Sequence, residues 1–213
     1  MTSLSSHVII TVGGRVSALT RLYQEMANCH QCELAKYRNR VVPGEGAEDA
    51  DIVFIGEAPG WHEDQQGRPF VGSAGQFLEE LLASIGLKRE EVYICNVIKC
   101  RPPQNRDPLP MEIRACQQWL DRQLELIHPK LVVTLGRYSL ARFFPGETIS
   151  KAHGKTRKEG DVLYYAMYHP AAALHQQSLR QIIQADMLKI PSLLAQAEEI
   201  PETEEKPQQL SMF

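Results

Sequence analysis

Polar side chains follow or interrupt three apolar runs of this sequence. Glu57 follows the run DIVFIG, Asn96 lies near the end of VYICNVI, and His169 follows VLYYAMY. A carboxylate can stabilise a cation or activate water, an amide can read the donors and acceptors of a ligand, and an imidazole can donate to a developing anion. Each residue also has a structural interpretation: a solvated carboxylate, a hydrogen-bonded core amide and a loop histidine before proline. Their arrangement after different strands favours a functional site.

A glycine- and proline-rich segment follows the first run and contains GEAPG, WHED and GRPFVGSAGQ. Such a segment builds tight loops whose backbone can approach a ligand closely. It matches neither the G-x-G-x-x-G fingerprint nor a P-loop. Phe70, between Pro69 and Val71-Gly72, either fills the core or offers a ring face for stacking. Glu63 has the interpretation of a solvated carboxylate, and we expect Asp64 to be structural.

Five cysteines are present, and four of them have a spacing that suits metal ligation. Cys29 and Cys32 form a C-x2-C pair, while Cys100 and Cys116 lie on either side of a proline-rich segment. Four thiolates can hold either zinc or an iron–sulfur cluster, but this spacing fits no common zinc finger. The spacing alone leaves a metal site and incidental thiols open. Cys95, inside an apolar run, is expected to be a small buried hydrophobe.

The elements that must position these residues alternate along the chain. Four apolar runs predict strands over 51–56, 92–98, 131–136 and 162–168. Between and after them, helical spacing predicts helices over 73–85, 111–127, 136–144 and 178–194. This alternation predicts an α/β fold with a mostly parallel sheet covered on both faces. The sites of such sheets lie at the carboxyl ends of the strands, where the three polar residues fall.

Composition and charge narrow the class of protein. The chain has 213 residues, 43% of them hydrophobic, and a formal charge of −3, which excludes collagenous, low-complexity and wholly disordered classes. No apolar run approaches the roughly 20 residues that cross a bilayer, and the first residues lack a secretory signal pattern. The acidity comes from residues 196–213, with five Glu and one Lys, whereas residues 1–195 are nearly neutral. Any affinity for nucleic acid must therefore come from local patches.

Four motifs together resemble family 4 uracil-DNA glycosylase, the iron–sulfur branch of the uracil-DNA glycosylase superfamily. They are GEAPG, GRPFVGSAGQ, VYICNVIKCRPPQNR and HPAAAL, and the similarity extends from about Cys29 to Leu194. The resemblance implies a three-layer sandwich with a central four-stranded parallel sheet flanked by helices. It implies a DNA glycosylase that hydrolyses the N-glycosidic bond of flipped-out deoxyuridine and so starts base excision repair. We expect the glycosylase domain over 15–195, after an N-terminal arm at 1–14.

The resemblance also assigns the metal ligands. In the family, four cysteines hold a [4Fe–4S] cluster, and the matching positions are Cys29, Cys32, Cys100 and Cys116. The cluster is expected to order the segment 101–110 into a DNA-facing surface.

The same resemblance implies roles in a uracil pocket. Phe70 would stack on the flipped base, and the Asn96 amide would accept from uracil N3–H and donate to O4. Cytosine presents the reverse pattern at these atoms, so it would leave both amide groups unpaired. His169 would donate to uracil O2 as negative charge collects on the departing base.

Other positions near the pocket receive less specific roles. Where the best-known branch of the superfamily has a water-assisting aspartate, this sequence has Ala58, so Glu57 is favoured for the water or the sugar cation. Backbone groups of Glu57, Ala58 and Pro59 would border the base, and Glu63 would lie beside uracil C5 and exclude a thymine methyl. Leu174 is either a wedge that fills the gap left by the flipped base or a loop leucine packed on the core.

The end of the chain suggests a partner. Residues 196–213 are predicted to be a flexible acidic tail, and the last five, Gln209 to Phe213, resemble the peptide with which bacterial repair proteins bind the sliding clamp. A frayed terminus is the alternative. The match predicts a bacterial, cytoplasmic and nucleoid-associated monomer that binds single- or double-stranded DNA containing uracil. Two competing functions are a catalytically silent iron–sulfur module and an electron-transfer protein, neither of which explains Phe70, Asn96 and His169 together.

Overall fold

The computed structural model describes residues 16–199. The predicted arm at 1–14 and the clamp-like peptide at 209–213 lie outside the described residues. Inside this range the chain alternates strands and helices, as the periodicity predicts.

One mixed sheet forms the centre of the molecule. Its strands are β1 (Glu45–Gly46), β2 (Ile52–Gly56), β3 (Tyr93–Asn96), β4 (Leu131–Leu135), β5 (Thr156–Glu159) and β6 (Val162–Met167). They lie in the order β1-β3-β2-β4-β6-β5, with the inner four parallel and both edge strands antiparallel to their neighbours. The predicted four-stranded parallel sheet is therefore confirmed, and two edge strands extend it.

Burial explains why the inner strands could be predicted from the sequence and the edge strands could not. Every residue of β2, β3 and β4 is buried, so these strands are continuous apolar runs. Strand β5 has the sequence TRKE, is almost wholly exposed and is paired only with β6. Charged side chains on such an edge protect it from pairing with other chains.

Helices cover both faces of the sheet. They are α1 (Ala18–Ala27), α2 (Trp61–Gln66), α3 (Ser73–Ser84), α4 (Pro110–Ile127), α5 (Arg137–Phe143), α6 (Ile149–Ala152), α7 (Pro170–His175), α8 (Ser178–Met187) and α9 (Ile190–Glu198). Residues of α1, α4 and α5 form one buried cluster with the sheet, and residues of α3, α8 and α9 form the other. The three-layer arrangement is confirmed.

The single helix predicted over 178–194 is wrong: two helices, α8 and α9, occupy this region. Pro191 lies in the first turn of α9, where its missing N–H is tolerated, but its ring and lost donor prevent α8 from continuing through it. Helix α9 ends at Glu198, so the predicted tail boundary at 196 falls inside a helix. No helix within 16–199 is long and apolar enough to span a membrane.

Candidate active site

A cleft of about 700 Å³ opens at the carboxyl edge of the parallel strands. Glu57 after β2, Asn96 at the end of β3 and His169 after β6 all line it, together with Phe70. Parallel strands bring their carboxyl ends to one edge of a sheet, so residues distant in sequence meet there. The structure thus brings together the polar residues that the sequence singled out.

The Asn96 side chain is almost completely buried yet has an unused amide. The residue is 2% exposed, and its amide forms no hydrogen bond to another residue within 16–199. Its backbone is fixed, because the Asn96 carbonyl accepts from Lys99 Nζ at 2.7 Å and Val97 N–H donates to Gly56 O at 3.1 Å. The amide is open to the cleft, so a ligand there can satisfy both its donor and its acceptor.

Gly56 lets the amide and the aromatic ring approach the end of β2. A Cβ atom at Gly56 would collide with Asn96 Oδ1 and lie 2.6 Å from Phe70 Cζ, so both side chains would have to move. Phe70 is 5% exposed, and its ring stacks on the His169 ring with centroids 5.4 Å apart. The position therefore requires glycine for packing reasons.

Phe70 is held in an unusual backbone conformation by Arg89. Its φ is 52°, in the left-handed region that aromatic residues avoid. The half-buried Arg89 guanidinium donates from Nη1 to Phe70 O at 3.0 Å and from Nη2 to Pro69 O. Arg89 also pairs with Glu45 and Glu79, at 3.4 Å each. Sequence reasoning missed this arginine, which lies in an ordinary charged stretch with no motif.

The protonation state of His169 follows from its contacts. Its Nδ1 accepts from Ala171 N–H at 3.1 Å at the start of α7, so in the neutral ring the proton is on Nε2. Burial lowers the pKa of His169 to about 4, opposed by the negative charge of Glu63. The ring is therefore neutral near pH 7 and can donate one hydrogen bond from Nε2 into the cleft.

The two candidate carboxylates differ in their partners. Burial, and secondarily the charge of Asp107, raises the pKa of Glu57, while Arg137 opposes that rise. The Glu57 carboxylate makes no hydrogen bond to the rest of the described chain. Glu63 Oε1 instead accepts from Val71 N–H at 3.0 Å and Gly72 N–H at 2.9 Å, which fixes the turn after Phe70. Glu57 is thus the carboxylate with free acceptor capacity.

The remaining predicted residues border the cleft or its rim. Ala58 and Pro59 line the cleft, but only Ala58 has an N–H to offer. Leu174 lies on α7 rather than at a loop tip and is 49% exposed, so it is not packed in the core. Asp64 is fully buried and accepts from Asn39 N–H at 2.9 Å, as expected of a structural residue.

The four predicted metal ligands line a second, narrow cavity between α1, α4 and the segment after β3. Cys29, Cys32, Cys100 and Cys116 all face it, and no carboxylate or imidazole is among its lining residues. All are free thiols, as is the fully buried Cys95. No three His, Cys, Asp or Glu side chains within 16–199 are drawn close enough together to hold a metal ion as they stand. The donor set is purely thiol, which fits a soft metal or an iron–sulfur cluster.

Hydrogen-bond donors lie beside two of these thiols. Arg38 Nη1 lies 3.3 Å from Cys100 Sγ, and the Lys99 N–H donates to Cys116 Sγ at 3.3 Å. Burial raises the pKa of the Cys116 thiol to about 12 and also raises the pKa of the Cys95 thiol, and the charge of Lys99 opposes both shifts. Donors of this kind stabilise thiolates bound to a metal centre.

The segment after Cys100 connects the two cavities. Pro102, Asn105 and Arg106 line the larger cleft, and Arg106 forms two hydrogen bonds, at 2.9 and 2.6 Å, to the buried carboxylate of Glu112. Glu112 also accepts from Leu109 N–H at 2.8 Å, so it anchors the start of α4. The segment is therefore fixed at both ends, by the thiol cavity and by α4.

Comparisons with a family profile and with known proteins indicate the same family. The Uracil DNA glycosylase superfamily profile matches residues 43–189 of the chain. A "Type-4 uracil-DNA glycosylase" of Sulfurisphaera tokodaii is 46% identical over 84% of this chain and 86% of its own length. Proteins of the same description from Archaeoglobus fulgidus and Saccharolobus solfataricus are 47% and 44% identical, over 84% and 83% of this chain and 94% and 87% of their lengths.

Proposed function

The chain belongs to the type-4 branch of the uracil-DNA glycosylase superfamily and is a uracil-DNA glycosylase, and we propose here how its residues carry out the reaction. The observation that supports the scheme is the buried Asn96 amide, which lacks a protein partner and lines the same cleft as Phe70 and His169. A base in a duplex is out of reach of such a cleft. The nucleotide must therefore rotate out of the stack into it.

Recognition of the base falls to Phe70 and Asn96. The Phe70 ring provides a flat apolar surface for the uracil ring, and its position is fixed by Arg89 and Gly56. The Asn96 amide accepts from N3–H and donates to O4. Cytosine has an acceptor at N3 and a donor at C4, so it leaves both groups of a buried amide unsatisfied, which discriminates strongly.

His169 stabilises the leaving group. As the bond between C1′ and N1 breaks, its electron pair moves onto the uracil ring and negative charge accumulates at O2. The Nε2–H of the neutral His169 ring donates to that oxygen; the low pKa keeps the ring neutral, and a neutral imidazole N–H is too weak an acid to give its proton to the base. The N–H of Ala58 supplies a further donor at the cleft wall.

Glu57 acts on the sugar side. The deoxyribose passes through an oxocarbenium-like state before water adds at C1′. A carboxylate without hydrogen-bond partners can stabilise that cation or take the proton of the incoming water. Glu63 is occupied by Val71 and Gly72 N–H groups, so it shapes the pocket beside uracil C5 and disfavours a thymine methyl.

We assign the ligands of a [4Fe–4S] cluster to Cys29, Cys32, Cys100 and Cys116, which line one cavity. When bound, the cluster supplies a covalent cross-link among three chain segments. Through Cys100 and Cys116 the protein would fix both ends of the segment 101–110, which borders the DNA side of the cleft. Leu174, exposed on α7, would fill the space that the flipped nucleotide leaves.

A single assay tests this function. The protein is incubated with single- and double-stranded oligonucleotides containing one uracil, treated with alkali, and examined for strand scission. We expect scission at the uracil with wild type, none with thymine or cytosine at that position, and strong loss in Asn96→Ala. Absence of abasic sites from both uracil substrates would refute the enzyme and leave the silent iron–sulfur module.

The last five residues carry a separate proposal. We propose that Gln209 to Phe213 docks in the groove of a bacterial sliding clamp and that the protein works at the nucleoid in the cytoplasm. Deleting 209–213 should abolish clamp binding and leave excision from short oligonucleotides unchanged. Equal clamp affinity of the full and truncated chains would contradict it.

A further inference from the structure

Lys99 is a buried lysine that the mechanism above does not use. It is 1% exposed and lies directly between Asn96 and Cys100 in sequence, in the segment that leaves β3. Within residues 16–199 no carboxylate lies within ion-pair distance of its ammonium group, whose polar neighbours include the Asn96 backbone carbonyl and the Cys95 thiol. Burying an ammonium group without a negative charge is costly, so lysines are rarely buried unless they are paired.

The contacts of Lys99 reach both functional cavities. On one side, Nζ donates to the backbone carbonyl of Asn96 at 2.7 Å. On the other side, its backbone N–H donates to Cys116 Sγ at 3.3 Å, and the residue lines the four-cysteine cavity. It is the one residue of that cavity bonded to Asn96 in the described part of the chain.

We infer that Lys99 is a positioning residue that couples the four-cysteine site to the uracil reader: its ammonium group balances the negative charge of the metal-bound thiolates and holds the Asn96 backbone in place. The inference rests on the proposed function, since it gives a role to the same Asn96 amide. Four thiolates exceed the positive charge of the metal centre they would bind, so the loaded site is net negative, and the cavity lining holds only Lys99 and Arg38 as cations. The missing counter-charge of the buried lysine is thereby supplied without a carboxylate.

The coupling follows from the short connection. Asn96 presents its amide from the last residue of β3, and a shift of its carbonyl changes the direction of that amide within the cleft. A charge-assisted hydrogen bond from a buried ammonium is stronger than a neutral one, so it fixes this carbonyl firmly. The coupling free energy between two sites is reciprocal. If the state of the metal site changes the affinity for uracil, bound uracil must therefore change the equilibrium at the metal site by the same free energy.

Three variants of the full-length, metal-loaded protein separate the two contacts. Lys99→Met removes both the charge and the donor, Lys99→Gln keeps a donor but removes the charge, and Lys130→Met is the matched control. Lys130 is exposed, precedes β4 at the opposite edge of the sheet and pairs there with Asp51 and Glu198. For each protein, iron content, the midpoint potential of the iron centre, and kcat and KM on uracil-containing single strands are measured.

Lys99→Met should lower kcat/KM about tenfold or more, the value of a charged hydrogen bond. It should also lower the midpoint potential, because removing a nearby positive charge disfavours the reduced centre. Lys99→Gln should lower the potential similarly and lose less of kcat/KM. Lys130→Met should match wild type in both. A wild-type potential together with wild-type kcat/KM in Lys99→Met would overturn the inference.

A measurement on wild type alone covers the case in which the Lys99 variants do not fold. Saturating free uracil, which binds at the Asn96 amide without adding the phosphate charges of DNA, should shift the midpoint potential of the wild-type protein. An unchanged potential with uracil demonstrably bound would refute the coupling. Potentials and iron content need no turnover, so failure of the inference is distinct from failure of the proposed function, which would appear as wild-type protein that releases no uracil.

Discussion

The cleft at the sheet edge and the four-cysteine cavity differ in the surroundings of their polar groups. In the cleft, the Asn96 amide and the Glu57 carboxylate lack protein partners and face open space, so a ligand gains by satisfying them. In the cysteine cavity, four thiols and a buried lysine face each other in a narrow space. Residues of the cleft should therefore control activity with little effect on stability, and residues of the cavity should control stability first.

The sharpest separation comes from His169→Ala. Loss of the Nε2–H donor should lower kcat about 10² to 10³-fold, the usual effect of removing one donor to a developing anion. The melting temperature at neutral pH should change little, because the variant loses one hydrogen bond, from Ala171 N–H, and the stacking contact with Phe70. Single-turnover excision and thermal melting check the pair of outcomes; a large loss of stability would break the distinction.

Asn96→Ala should lower kcat/KM for uracil roughly 10²-fold, since two hydrogen bonds to the base are lost. The variant should fold as stably as wild type, because its amide bonds to nothing in the described protein. Binding of a non-cleavable uracil analogue in single-stranded DNA measures the loss. Unaltered affinity would remove Asn96 from base recognition.

On the cavity side, Cys116→Ala and Cys95→Ala form a matched pair of buried thiols. Cys116→Ala should lose the visible absorbance of the iron centre and lower Tm by at least about 5 °C, near 2 kcal/mol for a chain of this size. Cys95→Ala should keep the colour and lose only about 1 kcal/mol for a small cavity. Equal iron content in both would contradict the ligand assignment.

The pH dependence of excision should depend on Glu57. Because burial raises its pKa, the rate should fall with decreasing pH at a pH above that of an ordinary glutamate, and Glu57→Gln should lose this limb and about tenfold in rate. The sign for stability is opposite. A raised pKa in the folded state means that the contribution of this group is lost as pH rises through that pKa, so Glu57→Gln should be slightly more stable at neutral pH.

Leu174→Ala should have the smallest effect. An exposed side chain contributes little to stability, and we expect excision from duplex DNA to fall a few-fold while single-stranded substrate is unaffected. The ratio of the two rates is the measurement. An equal loss on both substrates would argue against a wedge.

Much of this organisation was predictable because burial on both faces gives strands a distinctive composition. The ends of the inner strands were predicted to within one residue, except for the end of β3, which was predicted two residues too late, so the residues after the strands fell at the correct edge. Strands β1 and β5 were not predictable, since pairing with a neighbour rather than burial makes them strands. The separation of α8 from α9 could have been found from Pro191.

Residues that act through contacts were harder to find. Lys99 and Arg89 have charged side chains, and sequence patterns place such side chains in solvent. Lys99 is buried because Asn96 and Cys116 surround it, and half-buried Arg89 binds the carbonyls of Pro69 and Phe70. Such roles depend on tertiary partners, so no local sequence motif predicts them.

The order of the inner strands has a consequence for the evolution of base choice. Asn96 and His169 come from the two outer parallel strands, and the two strands between them end in Gly56 and Gly136, where a Cβ would collide with Asn96 or press on His169. The distance between the backbones of Asn96 and His169 is thus set by the spacing of hydrogen-bonded strands, about 4.8 Å for each neighbouring pair. Substitutions can change which atoms are recognised and how the cleft is filled, whereas the backbone positions that carry Asn96 and His169 are set by the strand order. Side-chain substitutions leave this backbone spacing unchanged.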